Sequence, residues 1–241
     1  MNGRRCFGLA LVVLVAVTAA RFLGVAGPTV VWTSLMTAAL VLVARTSGAT
    51  LAELGLAPAD AGRGLRYGAV AAGIVLVALA VVVLVALAVA ALLPLTSGAL
   101  RDARGNIGGA QLAYELVVDV LLLTAIPEEF AFRGVLLGSA VVQWGPLRGV
   151  LVVSALFGLW HVQPTLATMT DNPAVSGASG SAAGRLLVVL GAVAVTFVAG
   201  LVFAWLRLRS RSLLAPVLAH AATNGLGLAV AWFALHVLPA R

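Results

Sequence analysis

The chain of 241 residues contains no lysine, one cysteine and only eight acidic side chains, and charged residues of all kinds make up 10% of it. An ordinary soluble domain carries about 25% charged residues. That is too little charge to cover a surface in water, so a soluble enzyme is excluded, and so is a disordered chain. The lone Cys6 permits neither an internal disulfide framework nor a metal site made of several thiolates. What the chain has in place of charge is apolar surface: 62% of its residues are hydrophobic, and the mean hydropathy is +1.13. Its length suits one domain of several membrane spans.

The net charge of +7 comes entirely from arginine. A basic excess can serve nucleic acid, but here the arginines stand singly or in short groups between apolar runs. That distribution fits loops obeying the positive-inside rule rather than a phosphate-binding face, so no nucleic-acid partner is expected. The partner expected first is the lipid bilayer.

Apolar runs place spans at about 7–26, 28–44, 68–93, 111–142, 147–166, 186–206 and 213–238. The stretch 68–93 has no charged residue, and its 26 positions exceed the roughly 20 that a spanning helix needs. The first run mimics a secretory signal but is read as an uncleaved span. The run 111–142 is broken by Glu115, Asp119, Pro127, Glu128, Glu129 and Arg133, and reads either as one helix kinked at Pro127 or as two short crossings. The arginines decide between them. With one crossing and Arg4 and Arg5 in the cytoplasm, Arg45, Arg63, Arg66, Arg148, Arg207, Arg209 and Arg211 also face inward. Arg21, Arg101, Arg104, Arg185 and Arg241 then face outward. Two crossings would put the Arg207–Arg211 cluster outside, against the rule. The expected fold is therefore an all-α polytopic bundle of seven spans, eight being the alternative, with the N-terminus in the cytoplasm of a bacterial membrane. The whole chain, 1–241, is expected to form one domain, with three spans in 1–110 and the motif-bearing core in 111–241.

Ionisable side chains at bilayer depth are costly and mark function by default. Three groups stand out. In Pro127-Glu128-Glu129-Phe130-Ala131-Phe132-Arg133, Glu129 and Arg133 are four apart on a helix, in the order that favours an ion pair. Glu128 points about 100° away, so one carboxylate is neutralised while its neighbour stays free. The second group, Phe157-Gly158-Leu159-Trp160-His161, sets His161 deep in a helix starting near Leu147. The third, His220-Ala221-Ala222-Thr223-Asn224, sends His220 and Asn224 to one side. A free Glu and two His on three helices form a water-activating constellation: the carboxylate, or its His partner, acts as general base, and a second His with an amide stabilises an oxyanion. Glu115 and Asp119 read as a solvated outer rim, and His236 as an interfacial residue at the last helix end. Trp144 and Trp232 read as interfacial anchors, and Trp160 as either an anchor or part of a cavity wall.

Glu128-Glu129-x-x-x-Arg133, Phe157-x-x-x-His161 and His220-x-x-x-Asn224, in that order on separate helices, resemble the CPBP family. These are the CAAX prenyl-protease and bacteriocin-processing membrane proteins, also called Abi. Leu54-Gly55-Leu56 followed by a basic stretch and a long apolar helix is similar to many members. The resemblance covers about Leu112 to Leu226. It implies an intramembrane endopeptidase with a catalytic cavity open to the cytoplasm. By position, Glu128 would activate water with His161, His220 and Asn224 would stabilise the oxyanion, and Glu129 with Arg133 would hold the motif helix, Phe157 supporting the second motif. The implied substrate is a peptide or protein tail, lipidated ones among them.

No cofactor is required on this reading. The alternative is zinc held by Glu128, His161 and His220 with an open fourth position, although no H-E-x-x-H pair places two His on one helix face. Two other functions fit parts of the sequence. Glu115, Asp119 and Glu128 along one segment suit a small proton-coupled transporter, but repeat symmetry is missing. A non-catalytic immunity protein that sequesters a peptide is the other.

Overall fold

The computed structural model describes residues 1–92 and 102–236, and among them there is helix and no strand. The helices are α1 (Gly3–Phe22), α2 (Thr29–Thr46), the single turn α3 (Leu51–Leu54) and α4 (Ala61–Leu92). A continuous helical run, α5, covers Gly109–Trp144. It is followed by α6 (Pro146–Trp160), α7 (Val162–Thr168), α8 (Pro173–Ala178), α9 (Ala182–Ser210) and α10 (Leu214–His236). Seven segments among the described residues are long and apolar enough to cross a bilayer, α6 and α7 counting as one. The chain is an all-α polytopic integral membrane protein. Leu35, Val70, Val77, Leu84 and Val195 are among many large apolar side chains on its outer surface, an exposure that only lipid tolerates at this extent.

The doubtful stretch 111–142 lies within one helix, α5. The 36 residues of α5 give a length of about 54 Å at 1.5 Å per residue, well beyond the hydrocarbon thickness of about 30 Å. Pro127 does not break it. The proline sits near the start of a short α-turn, Ile126–Glu129, with π-helical turns on both sides, Glu115–Ala125 and Phe130–Leu136. A proline lacks an N–H and its ring crowds the carbonyl of the preceding turn; the wider i→i+5 turns absorb both. Such turns gather at functional sites, and the paired glutamates lie between these two.

Contacts at the helix ends fix which ends lie together. Asn2 N–H donates to Ser47 O at 2.8 Å, and Phe7 packs edge-on against Trp144 with ring centres 4.8 Å apart. The turn α3 starts with a reciprocal cap, Glu53 N–H on Thr50 Oγ1 at 3.2 Å and Thr50 N–H on Glu53 Oε2 at 2.8 Å. Arg207 Nη2 then donates to Ala52 O and Glu53 O at 3.2 and 2.9 Å. The start of α1, the end of α2, α3, the start of α4, the α5–α6 turn and the end of α9 therefore form one end of the bundle. At the other end Ala103 N–H reaches Asp171 O and Trp232 Nε1 reaches Ile107 O, both at 2.8 Å. The nine arginines assigned inward from the sequence all lie at the first end. Arg21, Arg104 and Arg185 lie at the second; Arg101 and Arg241 fall outside the described residues, as does Leu238.

Candidate active site

The α-turn Ile126–Glu129 sends its two carboxylates in different directions. Glu129 points into the core, where it is fully buried with Arg133 and His220, at 0, 1 and 3% exposure. One oxygen, Oε1, accepts from Arg133 Nη1 at 3.0 Å and from His220 Nδ1 at 2.8 Å. The guanidinium also lies over the Phe157 ring, 3.9 Å from its centre, and Nη2 approaches Gly200 O at 3.5 Å. A cation over an aromatic face in a desolvated setting contributes about 2 kcal/mol. His220 stacks on Phe203, ring centres 5.3 Å apart. Gly158 on α6 and Gly200 on α9 let these helices close up: a Cβ on Gly158 would come within 2.9 Å of Val193 O, and one on Gly200 within 3.0 Å of Ser154 Cβ. That approach brings Phe157 and Phe203 around the same cation.

Glu128 points into a cavity of about 770 Å³. Its floor is made by Glu128, Trp160, His161, Thr223 and Asn224; Arg21, Thr29, Arg104, Glu115 and Thr168 surround the mouth. Trp160 Nε1 donates to Glu128 Oε1 at 3.0 Å. The other oxygen, Oε2, is buried without a hydrogen-bond partner and lies 4.0 Å from His220 Nε2. His161 Nδ1 bonds Phe157 O at 2.8 Å. A carbonyl only accepts, so Nδ1 carries the proton, and a neutral His161 presents the lone pair of Nε2.

Glu128, His161 and Asn224 thus line one cavity, whereas His220 stands behind its wall, tied to Glu129 and touching Glu128 from the protein side. His161 is not deep inside a helix as its position in the run suggests. It is the break between α6 and α7, with φ −80° and ψ −2°, a geometry that turns the ring out of the α6 ladder. Phe157 does more than support its motif, since its ring carries Arg133 and its carbonyl fixes the His161 tautomer. Glu115 belongs to the cavity mouth as well as to the rim, and accepts from Gln111 Nε2 at 2.8 Å. His236 stacks on Trp232 at the far end, ring centres 4.8 Å apart. The residue that the motif pattern under-reads is Trp160: its indole N–H is the one donor on Glu128 among the described residues, and the signal available was a tryptophan adjacent to the motif histidine.

At the mouth, Arg104 Nη2 pairs with Asp102 Oδ2 at 2.8 Å. The Arg104 side chain holds the Asp102 carboxyl below the usual aspartate range, against the opposing effect of burial. Among the described residues no three His, Cys, Asp or Glu side chains gather closely enough to hold a metal ion. The set Glu128, His161 and His220 does not meet as a three-donor group in this geometry, because the two imidazoles are anchored through Nδ1 on opposite sides of the cavity wall.

The cavity opens at the end away from Arg4 and Arg5. A cytoplasmic N-terminus and a cavity open to the cytoplasm are therefore mutually exclusive for this chain.

The comparison with known families adds one finding. The family model "Type II CAAX prenyl endopeptidase Rce1-like" matches residues 110–226, the segment from the start of α5 to two residues beyond Asn224. This segment is similar to that family. The match agrees with the resemblance carried by the three motifs, which fall in the same stretch. No curated protein and no solved structure matches the chain. In the Rce1-like segment fall Glu128, Glu129, Arg133, Phe157, His161, His220 and Asn224; the walls contributed by α1 and α2, with Arg21, Trp32 and Met36, lie outside it.

Proposed function

We propose that the chain is an intramembrane endopeptidase in which Glu128 activates water for attack on a peptide carbonyl, without a metal. The observation that carries this reading is Glu128, a carboxylate that lines the cavity and whose buried Oε2 has no partner among the described residues and lies 4.0 Å from His220 Nε2. Leaving such an atom unpaired costs about 1–3 kcal/mol or more, and a site does so where a reactant completes it. A separation of 4.0 Å is too long for a direct hydrogen bond and suits a water bonded to both groups.

Glu128 takes a proton from that water as its oxygen adds to the carbonyl carbon. His161 Nε2 accepts the same water's second hydrogen bond and orients it. The carbonyl oxygen becomes an oxyanion, met by the Asn224 amide in the cavity. His220, behind the wall, supports the site through its bond to Glu129. Glu128 then returns its proton to the leaving amine as the C–N bond breaks, giving a new carboxyl and a new amino terminus. Trp160 holds Glu128 by Oε1, which leaves Oε2 as the oxygen without a partner.

The substrate is a peptide or protein tail, lipidated ones included, reaching the cavity from the bilayer surface. Residues 111–241 form the catalytic core, and 1–110 complete the wall in one domain, 1–241. The setting is a bacterial cytoplasmic membrane. The test is a comparison of peptides in cells carrying the intact chain or Glu128→Gln, with a chelator arm. Peptides that appear only with the intact chain, and persist with the chelator, support the reading. Identical peptide sets oppose it, and loss with the chelator assigns the water's activation to a metal.

A further inference from the structure

We propose that α4 and α9 form a binding site for an anionic phospholipid, in which Arg63 and Arg209 hold the headgroup phosphate and the Tyr67–Trp205 pair lies at the level of the glycerol esters. The site is on the outer face of the bundle and does not depend on the peptidase reading.

Tyr67 on α4 meets Trp205 on α9 edge-on, with ring centres 6.3 Å apart and planes at 62°. The two helices run in opposite directions: α4 leaves the end of the bundle that carries the arginines, and α9 returns to it. One turn from the ring pair toward that end leads from Tyr67 to Arg63 and from Trp205 to Arg209. Each step is four residues, about 6 Å, and keeps the side chain on the same helix face. Both arginines are exposed, so they flank one strip of surface just beyond the rings. In the other direction the same two faces are apolar and exposed. Val70 and Ile74 follow Tyr67 at steps of three and seven residues, and Val202 and Val198 precede Trp205 at the same steps. Cations, then an aromatic pair, then branched aliphatic side chains match the order phosphate, glycerol ester, acyl chain along a phospholipid. Trp and Tyr collect at that middle level of a bilayer.

The charges select the lipid. Arg63 has one acidic neighbour, with Asp60 Oδ1 at 3.9 Å from Nη1, too far for a hydrogen bond. Arg209 has no hydrogen-bond or ion-pair partner among the described residues. Two arginines against one aspartate leave one positive charge, and Arg66 and Arg211, exposed close by in sequence, add to it. A phosphodiester carries one negative charge, and a guanidinium donates two parallel N–H bonds to its oxygens. A choline or ethanolamine headgroup would bring an ammonium into this cluster, whereas a glycerol headgroup brings none. The lipid that fits is therefore of the phosphatidylglycerol type.

The test places the full chain in vesicles of equal parts phosphatidylglycerol and phosphatidylcholine, and native mass spectrometry counts the lipids that stay bound on release. An excess of bound phosphatidylglycerol is expected. Arg209→Gln, which breaks no hydrogen bond or ion pair among the described residues, should lower that excess about fivefold, the worth of one arginine near an anionic surface. Arg148→Gln removes an exposed arginine at the same end, on α6, and should leave the excess unchanged. Equal retention of the two lipids by the intact chain overturns the proposal. So does an excess that Arg209→Gln leaves intact, or that Arg148→Gln lowers as much, because net charge alone would then explain it. Melting points in detergent with short-chain phosphatidylglycerol or with inorganic phosphate complete the test. Stabilisation by the lipid alone, lost in Arg209→Gln, is expected; no stabilisation by the lipid, or an equal one by phosphate, overturns the lipid assignment.

Discussion

His220 Nδ1 and Glu129 Oε1 lie 2.8 Å apart in the buried centre of the bundle, and the same oxygen accepts from Arg133. One carboxylate thus orients an imidazole on α10 and neutralises a guanidinium on its own helix. The second motif glutamate supports the site, and the first is left to face the cavity.

Removing that support exposes the cost. Glu129→Ala leaves the Arg133 cation and His220 buried without their acceptor, and breaking a buried ion pair from one side costs about 3–5 kcal/mol. A large fall in the thermal unfolding midpoint in detergent is expected, with loss of cleavage as a consequence. An unchanged midpoint would show that the cluster does not hold the core.

Trp160→Phe deletes the N–H on Glu128 while keeping a ring against Phe132, 5.8 Å away between centres. Hydrogen bonds to charged groups contribute about 1.5–3 kcal/mol, so the cleavage rate should fall roughly tenfold or more. The melting point should hardly move, which separates positioning from packing. A rate equal to that of the intact chain would remove Trp160 from the mechanism.

Gly55 sits at φ +76°, and a Cβ there would overlap the Arg207 guanidinium. Gly55→Ala therefore strains the backbone and dislodges Arg207 from Ala52 O and Glu53 O; backbone strain of this kind costs about 1–3 kcal/mol. The expected outcome is a lower melting point and no change in the catalytic rate of the folded fraction. A melting point equal to that of the parent would contradict it.

Asp102, lowered by Arg104, has a folded pKa beneath its unfolded one. Its contribution to stability is complete above the unfolded value of about 3.9 and fades as the pH falls through the folded value. Acid titration of the intact chain and of Asp102→Asn should show different stabilities at neutral pH that converge at the acid end. Curves that stay parallel would contradict the linkage.

The number of spans was legible in the sequence because the apolar runs are long and the arginines between them are one-sided. The division of labour between Glu128 and Glu129 was legible too, because adjacent residues on a helix face different ways and Arg133 is one turn from only one of them. Local pattern failed where tertiary packing decides. The π-helical turns on both sides of Pro127 have no signature in the periodicity. His161 falls at a helix break whose sequence signal is Pro164, which lacks the N–H that the Trp160 carbonyl would take four residues on. His220 and Asn224 share a helix face, yet one is covered by Phe203 and the other reaches the cavity. The pairing of Trp160 with Glu128 joins residues 32 positions apart and has no signature in either segment. The end at which the cavity opens depends on how all the helices splay, which periodicity does not encode.

The most direct test of the account is cleavage of a membrane-tethered peptide pool by the purified protein and by Glu128→Gln, with both shown to have the same melting point. General acid–base catalysis contributes about 10²–10⁴-fold, so a loss of at least a hundredfold is expected in the variant. Equal cleavage by the two proteins would contradict the account, because Glu128 would then be a bystander in its own cavity.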